Sequence, residues 1–209
     1  MSRKYGRTPH LPNSRGRGAD VLGLTDLRAF EMAQRVIVTE KMDGENTTIH
    51  AGGCHARSLD SGAHPARDWM RGFAAGIAPQ LGAEERIVGE CLFARHSVAY
   101  DALPAWFLGF ALIEDGVFAD WDRAFARMAE LGILPVPVLY DGPFDADLPA
   151  RLAADLNPDR QEGFVLRVAH AFPEGEMGRH LAKYVRKGHV PPDAQHWSKG
   201  PIVRNGLAP

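Results

Sequence analysis

The run Glu40-Lys41-Met42-Asp43-Gly44-Glu45-Asn46 holds the residue types of a nucleophilic site. A lysine attacks an electrophile only as the neutral amine, and a strand-end position with other cations nearby can depress its pKa enough to supply that form. Asp43 and Asn46 flank it with an acceptor and an amide able to orient a phosphate, a ribose or a metal-bound water. Alone, Lys-x-Asp-Gly is a weak signal: its residue types are common, and a plain hairpin with a surface lysine reads the same way. The surrounding elements decide what it means.

Residues 36–40 are β-branched and strand-like, and residues 46–50 form a second such run. Asp43-Gly44 between them is a hairpin signal, which places Lys41 at the end of the first strand, facing the pocket of the sheet. Upstream, Thr25 reads as the N-cap of a short amphipathic helix carrying Leu27, Phe30, Met32 and Ala33. Downstream, residues 69–77 suit a short helix, and 86–93 and 106–113 suit buried strands. Trp121, Phe125 and Met128 have helical spacing over 121–131, with Gly132 as the stop. Residues 136–140, 163–168 and 181–185 complete the strands. Strands outnumber helices without alternating regularly, which predicts an α+β fold of largely antiparallel sheets rather than a doubly wound parallel sheet. The whole reads as a single domain, 1–209, with 1–20 an irregular basic arm and 188–209 a short tail.

At 209 residues and 45% hydrophobic, the chain can build an ordinary core, and its net charge of −2 gives no overall attraction for nucleic acid. Local clusters must supply any such attraction: Arg3, Lys4, Arg7, Arg15 and Arg17 at one end, and Arg179, Lys183, Arg186, Lys187, Lys199 and Arg204 toward the other. Two cysteines, Cys54 and Cys91, are too few for a stapled secreted scaffold and suit a reducing compartment. With no 18-residue apolar run and a charged start, the expectation is a cytoplasmic protein without membrane contact. Cys54-His55 and His64 do not follow zinc-ligand spacing.

In order along the chain, several short motifs resemble those of the nucleotidyltransferase superfamily of polynucleotide ligases and capping enzymes. Lys41-Met42-Asp43-Gly44 is similar to its first motif, Arg57-Ser58 to the arginine-bearing motif that follows, and Gly89-Glu90 to the third. Trp106-Phe107-Leu108-Gly109-Phe110 resembles the aromatic motif that packs on the base. Glu162-Gly163-Phe164-Val165-Leu166-Arg167 resembles the fourth, and Lys183-Tyr184-Val185-Arg186-Lys187 the fifth. The order, more than any single match, carries the resemblance.

The resemblance implies an ATP-grasp-like nucleotidyltransferase domain of antiparallel sheets flanked by helices. Lys41 would be the nucleophile toward ATP, with Mg²⁺ or Mn²⁺ as the metal. Lys183 would contact the α-phosphate, with Arg186 or Lys187 nearby, and these cations would also lower the pKa of Lys41. Glu162 would bind the metal, and Glu90 the ribose hydroxyl or a metal-bound water. Arg57 would hold a phosphate of ATP or nucleic acid, Phe110 would stack on adenine, and Glu40 would read its amino group.

DNA ligases and capping enzymes normally carry an OB-fold domain after the fifth motif, and the residues after Lys187 are too few and too Pro-rich for one. The expectation is an RNA ligase without an OB-fold, joining RNA 5′-phosphate and 3′-hydroxyl ends in repair, with an end-processing enzyme as a possible partner. Lys4 to Pro12 and the tail from His189 to Trp197 also resemble small RNA ligase-like proteins of bacteria and phages. Two positions depart from the pattern: Ala111 stands where an acid usually follows the phenylalanine, and Val185 where a second lysine usually sits. The alternatives are a DNA ligase or a GTP-using capping enzyme working with a separate subunit, and an inactive protein that holds RNA ends.

Overall fold

The computed structural model describes residues 3–14, 23–24, 26–59, 62, 64–188 and 200–209. The N-cap expected at Thr25, the basic residues Arg15, Arg17 and Lys199, and the tail 189–197 lie outside the described residues.

In chain order the elements are α1 (Arg28–Glu31), β1 (Val36–Lys41), β2 (Glu45–His50), β3 (Gly53–Ala56), α2 (Ala66–Ile77), β4 (Glu85–Cys91) and β5 (Phe107–Glu114). Then follow β6 (Val117–Phe118), α3 (Trp121–Glu130), β7 (Val138–Gly142), α4 (Leu148–Asp155), β8 (Gly163–Val168), β9 (Phe172–Pro173), α5 (Met177–His180) and β10 (Leu181–Val185). The strands form two antiparallel sheets, a four-stranded one ordered β10-β8-β1-β7 and a six-stranded one ordered β3-β2-β4-β5-β6-β9.

Period-two alternation divides the work of each strand. In the four-stranded sheet, Val36, Val38, Phe164, Leu166 and Ala182 pack with Phe30 of α1 and Leu148 of α4. On the other face Thr39, Lys41, Val165, Arg167 and Lys183 line a cavity. In the six-stranded sheet, Ile49, Ile87 and Leu112 pack against Met70, Ala74 and Ile77 of α2 and Ala124 and Met128 of α3. Helices therefore cover the outer faces, and the cavity opens between the sheets.

Helix α3 matches expectation at both ends: Asp120 caps it by accepting from the Arg123 amide at 3.0 Å, and Gly132 ends it at φ +68. Its buried stripe is Trp121, Ala124 and Met128, and Phe125 stays 46% exposed on the flank.

Two readings need correction. First, β1 and β2 do not form a hairpin; each belongs to a different sheet, and residues 42–44 cross from one to the other. Gly44 serves close approach rather than a left-handed turn, since a Cβ there would lie 2.4 Å from the Cys91 carbonyl oxygen. Second, the strand expected over 136–140 starts two residues later. Pro135 bridges to Gly109 of the other sheet and Val136 donates to the Gly109 carbonyl at 2.9 Å. Pro137, with no amide to donate, marks the change of sheet.

Candidate active site

Lys41 ends β1, and its register fixes its neighbours. β1 pairs with β8 so that Lys41 lies opposite Gly163, which lies opposite Val185 of β10; two residues along, Thr39, Val165 and Lys183 form the next row on the same face. Alternation thus brings Lys41 and Lys183 to the same face. Glu162 immediately precedes β8 and accepts a hydrogen bond from Lys41 Nζ at 2.5 Å, with the glutamate almost wholly buried and the lysine about one-quarter exposed.

The opposite wall belongs to the six-stranded sheet. Asn46 of β2 pairs with Glu90 of β4, and the Glu90 carboxylate accepts from the Gly44 amide at 3.3 Å. Among the described residues Asn46 Oδ1 is buried without a hydrogen-bond partner, an arrangement that costs free energy unless a ligand supplies a donor. A β-bulge lies between Val88 and Gly89: Ala111 pairs with Val88, Gly109 with Gly89, and Phe110 is the extra residue. Both Phe110 and Ala111 consequently line the cavity, and Phe110 meets the ring of Tyr5 edge-on at 5.8 Å. The cavity holds about 1120 Å³ and takes in Glu40, Lys41, Asp43, Asn46, Arg57, Glu90, Phe110, Glu162 and Lys183.

Electrostatics couples these groups. Burial alone would lower the Lys41 pKa, but Glu162, Glu90 and Asp43 outweigh it and the net shift is upward. This corrects the expectation that neighbouring cations depress it: Lys183 couples to Lys41, but the carboxylates, Glu162 first, outweigh both it and burial. Lys183 does move down, to about 8, through burial first and then Lys41, with Arg57 and Arg7 adding to the effect. Burial pushes Glu90 up to about 8, with Glu162 and Asp43 reinforcing and Lys41 opposing.

The Glu90 shift has a measurable consequence. A carboxyl with a raised folded-state pKa contributes stability fully below its unfolded value, and that contribution disappears as pH rises through about 8. Glu90→Gln removes it, so the stability difference between variant and wild type should change steadily between about pH 5 and 8, by at most about 1.4 kcal/mol per pH unit. Urea unfolding midpoints across that range read it out; parallel curves would contradict the upward shift of Glu90.

Three sets of the predicted residues have partners that the sequence did not foretell. Asp43 Oδ2 accepts from the Ser97 and Val98 amides, both at 2.7 Å, so Asp43 braces the loop beside Lys41. Arg186 and Lys187 do not line the cavity. Arg186 falls one residue past β10 with the opposite parity to Lys183 and donates to the Gln161 carbonyl at 2.8 Å, while Lys187 is exposed. Glu40 accepts from the Gln161 side chain at 3.1 Å and is raised in pKa by burial.

Other lining residues carried no individual role in the sequence reading. The arm supplies Tyr5, Thr8 and His10, held beside β10 by hydrogen bonds from Lys183 N to Pro9 O at 2.9 Å and from Leu11 N to Lys183 O at 2.8 Å. Arg167 is buried at the back over the rings of Trp121 and Phe172, donates to the carbonyls of Val168 and Ala119, and is lowered by burial to about 10. Alternation could have placed Arg167, since it shares parity with Val165.

A family model described as RNA ligase matches residues 34–185. The chain belongs to the RNA ligase family. Solved structures agree on the fold. An archaeal ATP-dependent RNA ligase superimposes with a TM-score of 0.58 at 17% identity, over 88% of this chain and 48% of that one. A Naegleria gruberi RNA ligase mutant with ATP and Mn superimposes with a TM-score of 0.54 at 15% identity, over 79% of this chain and 53% of that one. A further mutant of that ligase, with AMP and Mn, gives 0.53 at 15% identity, over 79% and 53%. This RNA ligase chain spans about half the length of the ligases it matches. No curated protein sequence matches it significantly.

The site also suits a divalent cation. Among the described residues no group of three His, Cys, Asp or Glu forms a ready cage. Glu162 and Glu90 instead face the space beside Lys41, and one or two carboxylates completed by phosphate oxygens and water is how Mg²⁺ is usually held.

Proposed function

We propose that this chain is an ATP-dependent RNA ligase that works through a covalent lysyl-AMP. The observation that carries the reading is the convergence on one cavity of Lys41 Nζ, its 2.5 Å partner Glu162, and Glu90, Lys183 and the unpartnered Asn46 Oδ1.

Lys41, having lost one proton to reach the neutral amine, bonds through Nζ to the α-phosphorus of ATP while the bond from that phosphorus to the bridging oxygen breaks; pyrophosphate leaves on the opposite side and a second N–H proton passes to water. AMP then passes to an RNA 5′-phosphate, and a 3′-hydroxyl displaces AMP to seal the strand. Lys183, level with Thr39 and next to the Lys41 row, neutralises charge gathering on the α-phosphate. Arg57, exposed at the cavity rim, suits the terminal phosphates or the RNA 5′-phosphate. Phe110 offers its face to the base and Asn46 its open acceptor to a nucleotide hydroxyl or amine. Mg²⁺, held by Glu162 and Glu90, would neutralise phosphate charge and relieve Lys41 of the carboxylate that keeps it an ammonium. Mn²⁺ would serve the same ligands. RNA repair in the cytoplasm is the setting we assign; among the described residues no helix is long and apolar enough to cross a membrane.

Labelled ATP or GTP, each with Mg²⁺, tests the reading. Covalent label that survives alkali and is released by acid, as a phosphoramidate is, should enter the protein from ATP at least tenfold faster than from GTP, and the adduct should seal 5′-phosphate RNA in preference to DNA. Labelling from GTP alone would favour a capping-type enzyme, and no label under varied pH and metal would favour a protein that only holds RNA ends.

A further inference from the structure

The last ten residues of the chain make a hydrogen-bond pattern that local sequence does not foreshadow. Asn205 is 3% exposed although it carries an amide side chain. Its Oδ1 accepts from the Tyr100 amide at 3.1 Å, its Nδ2 donates to the Leu92 carbonyl at 2.8 Å, and its own carbonyl accepts from Trp106 Nε1 at 2.9 Å. Its backbone amide donates to the Phe93 carbonyl at 3.2 Å. One residue thus ties both ends of the segment between β4 and β5. Gly206 follows with its amide on the Tyr100 carbonyl at 2.7 Å, and a Cβ there would lie 2.5 Å from the Asp101 carbonyl oxygen.

The segment so tied reaches the nucleophile. Tyr100 Oη accepts from the Asp43 amide at 2.9 Å, and the Ser97 and Val98 amides hold the Asp43 carboxylate. Asp43 is two residues from Lys41 in the crossing between the sheets. A continuous path of hydrogen bonds therefore runs from Asn205 through Tyr100 to the backbone that aims Lys41. The same strand of chain touches the site directly, since Gly200, Pro201, Ile202 and Val203 line the cavity.

We propose that residues 200–209 are a clasp on the adenylation site and that Asn205, acting through Tyr100 and Asp43, is a positioning residue for Lys41. The proposal rests on the lysyl-AMP reading above and adds to it a residue outside the motif-bearing segment 40–187. A buried amide with both its donor and acceptor satisfied rigidifies what it joins. Misplacing a nucleophile by about 1 Å costs on the order of 100-fold in rate. Loosening the clasp should therefore slow the chemical step far more than it weakens nucleotide binding.

The test uses the full chain with Asn205→Ala, Tyr100→Phe and the double variant. In single-turnover adenylation, corrected for the fraction of active sites, each single variant should lose about 10- to 100-fold in rate at saturating ATP. Its dissociation constant for ATP should stay within about threefold of wild type, and the double variant should be no slower than the slower single, because both changes cut one path. Amide hydrogen exchange followed by NMR supplies a readout that needs no catalysis: the Asp43 amide should lose at least about tenfold in protection in both single variants. Rates per active site within about twofold of wild type would overturn the proposal, as would unchanged Asp43 protection. If wild type forms no adduct, the lysyl-AMP reading fails by itself, and Asp43 protection alone then decides whether the clasp holds the Lys41 segment.

Discussion

Lys41→Arg should fold as wild type does and form adduct at least about 10⁴-fold more slowly. Arginine keeps the positive charge beside Glu162, so the ion pair that spans 2.5 Å in wild type is replaced rather than broken. Removing the cation outright, as in Lys41→Ala, would instead strand a buried carboxylate and confuse lost chemistry with lost stability. A guanidinium cannot be deprotonated in a protein, so it offers no neutral nitrogen to attack phosphorus. The variant separates two roles of one residue: charge partner, which arginine retains, and nucleophile, which it cannot be. The checks are thermal unfolding, expected within a few degrees of wild type, and label transfer from ATP, expected at background. Normal label transfer by a folded Lys41→Arg would move the nucleophile elsewhere.

Gly163→Ala should have the largest effect on the fold. Gly163 sits between Lys41 of β1 and Val185 of β10, and a Cβ on it would lie 2.0 Å from the Tyr184 carbonyl oxygen. No rotamer relieves a clash between Cβ and backbone, so β8 and β10 must separate where Lys183 is held against the Lys41 row. Overpacking of this kind costs about 3 kcal/mol. In a domain of this size that lowers the melting temperature by roughly 6 to 12 °C. Adenylation should also fall by about 100-fold at temperatures where the variant is still folded, because the cation and the nucleophile no longer share a register. A melting temperature within 2 °C of wild type, by calorimetry on the same preparations, would contradict this account of Gly163.

What could be read in the sequence followed from the range of the interactions involved. The strands 163–168 and 181–185 match their expected bounds because short apolar runs next to polar ends record burial locally. Lys41, Glu90, Glu162 and Lys183 were placed by motif order, and the sheets bring all four to one cavity. The hairpin reading failed at Asp43-Gly44 because that dipeptide also suits a crossing between sheets, where Gly44 admits the Cys91 carbonyl and Asp43 binds amides 54 and 55 residues away. The sign of the Lys41 shift could not be read either, since it depends on whether burial or the neighbouring carboxylates prevail. Arg186 and Lys187 come from the resemblance to the fifth motif, as substitutes for the lysine missing at Val185, whereas strand parity turns the one away from the cavity and the other lies past the strand end. Asn205 left no local mark, because its partners at Leu92, Phe93, Tyr100 and Trp106 are about a hundred residues earlier.

Peptide mapping by mass spectrometry, after incubating wild type with ATP and Mg²⁺, tests the central assignment most directly. The account predicts one AMP bound through a phosphoramidate, on the peptide containing Lys41 and on that side chain. AMP found on Lys183 or on any other residue, with Lys41 unmodified, would contradict it.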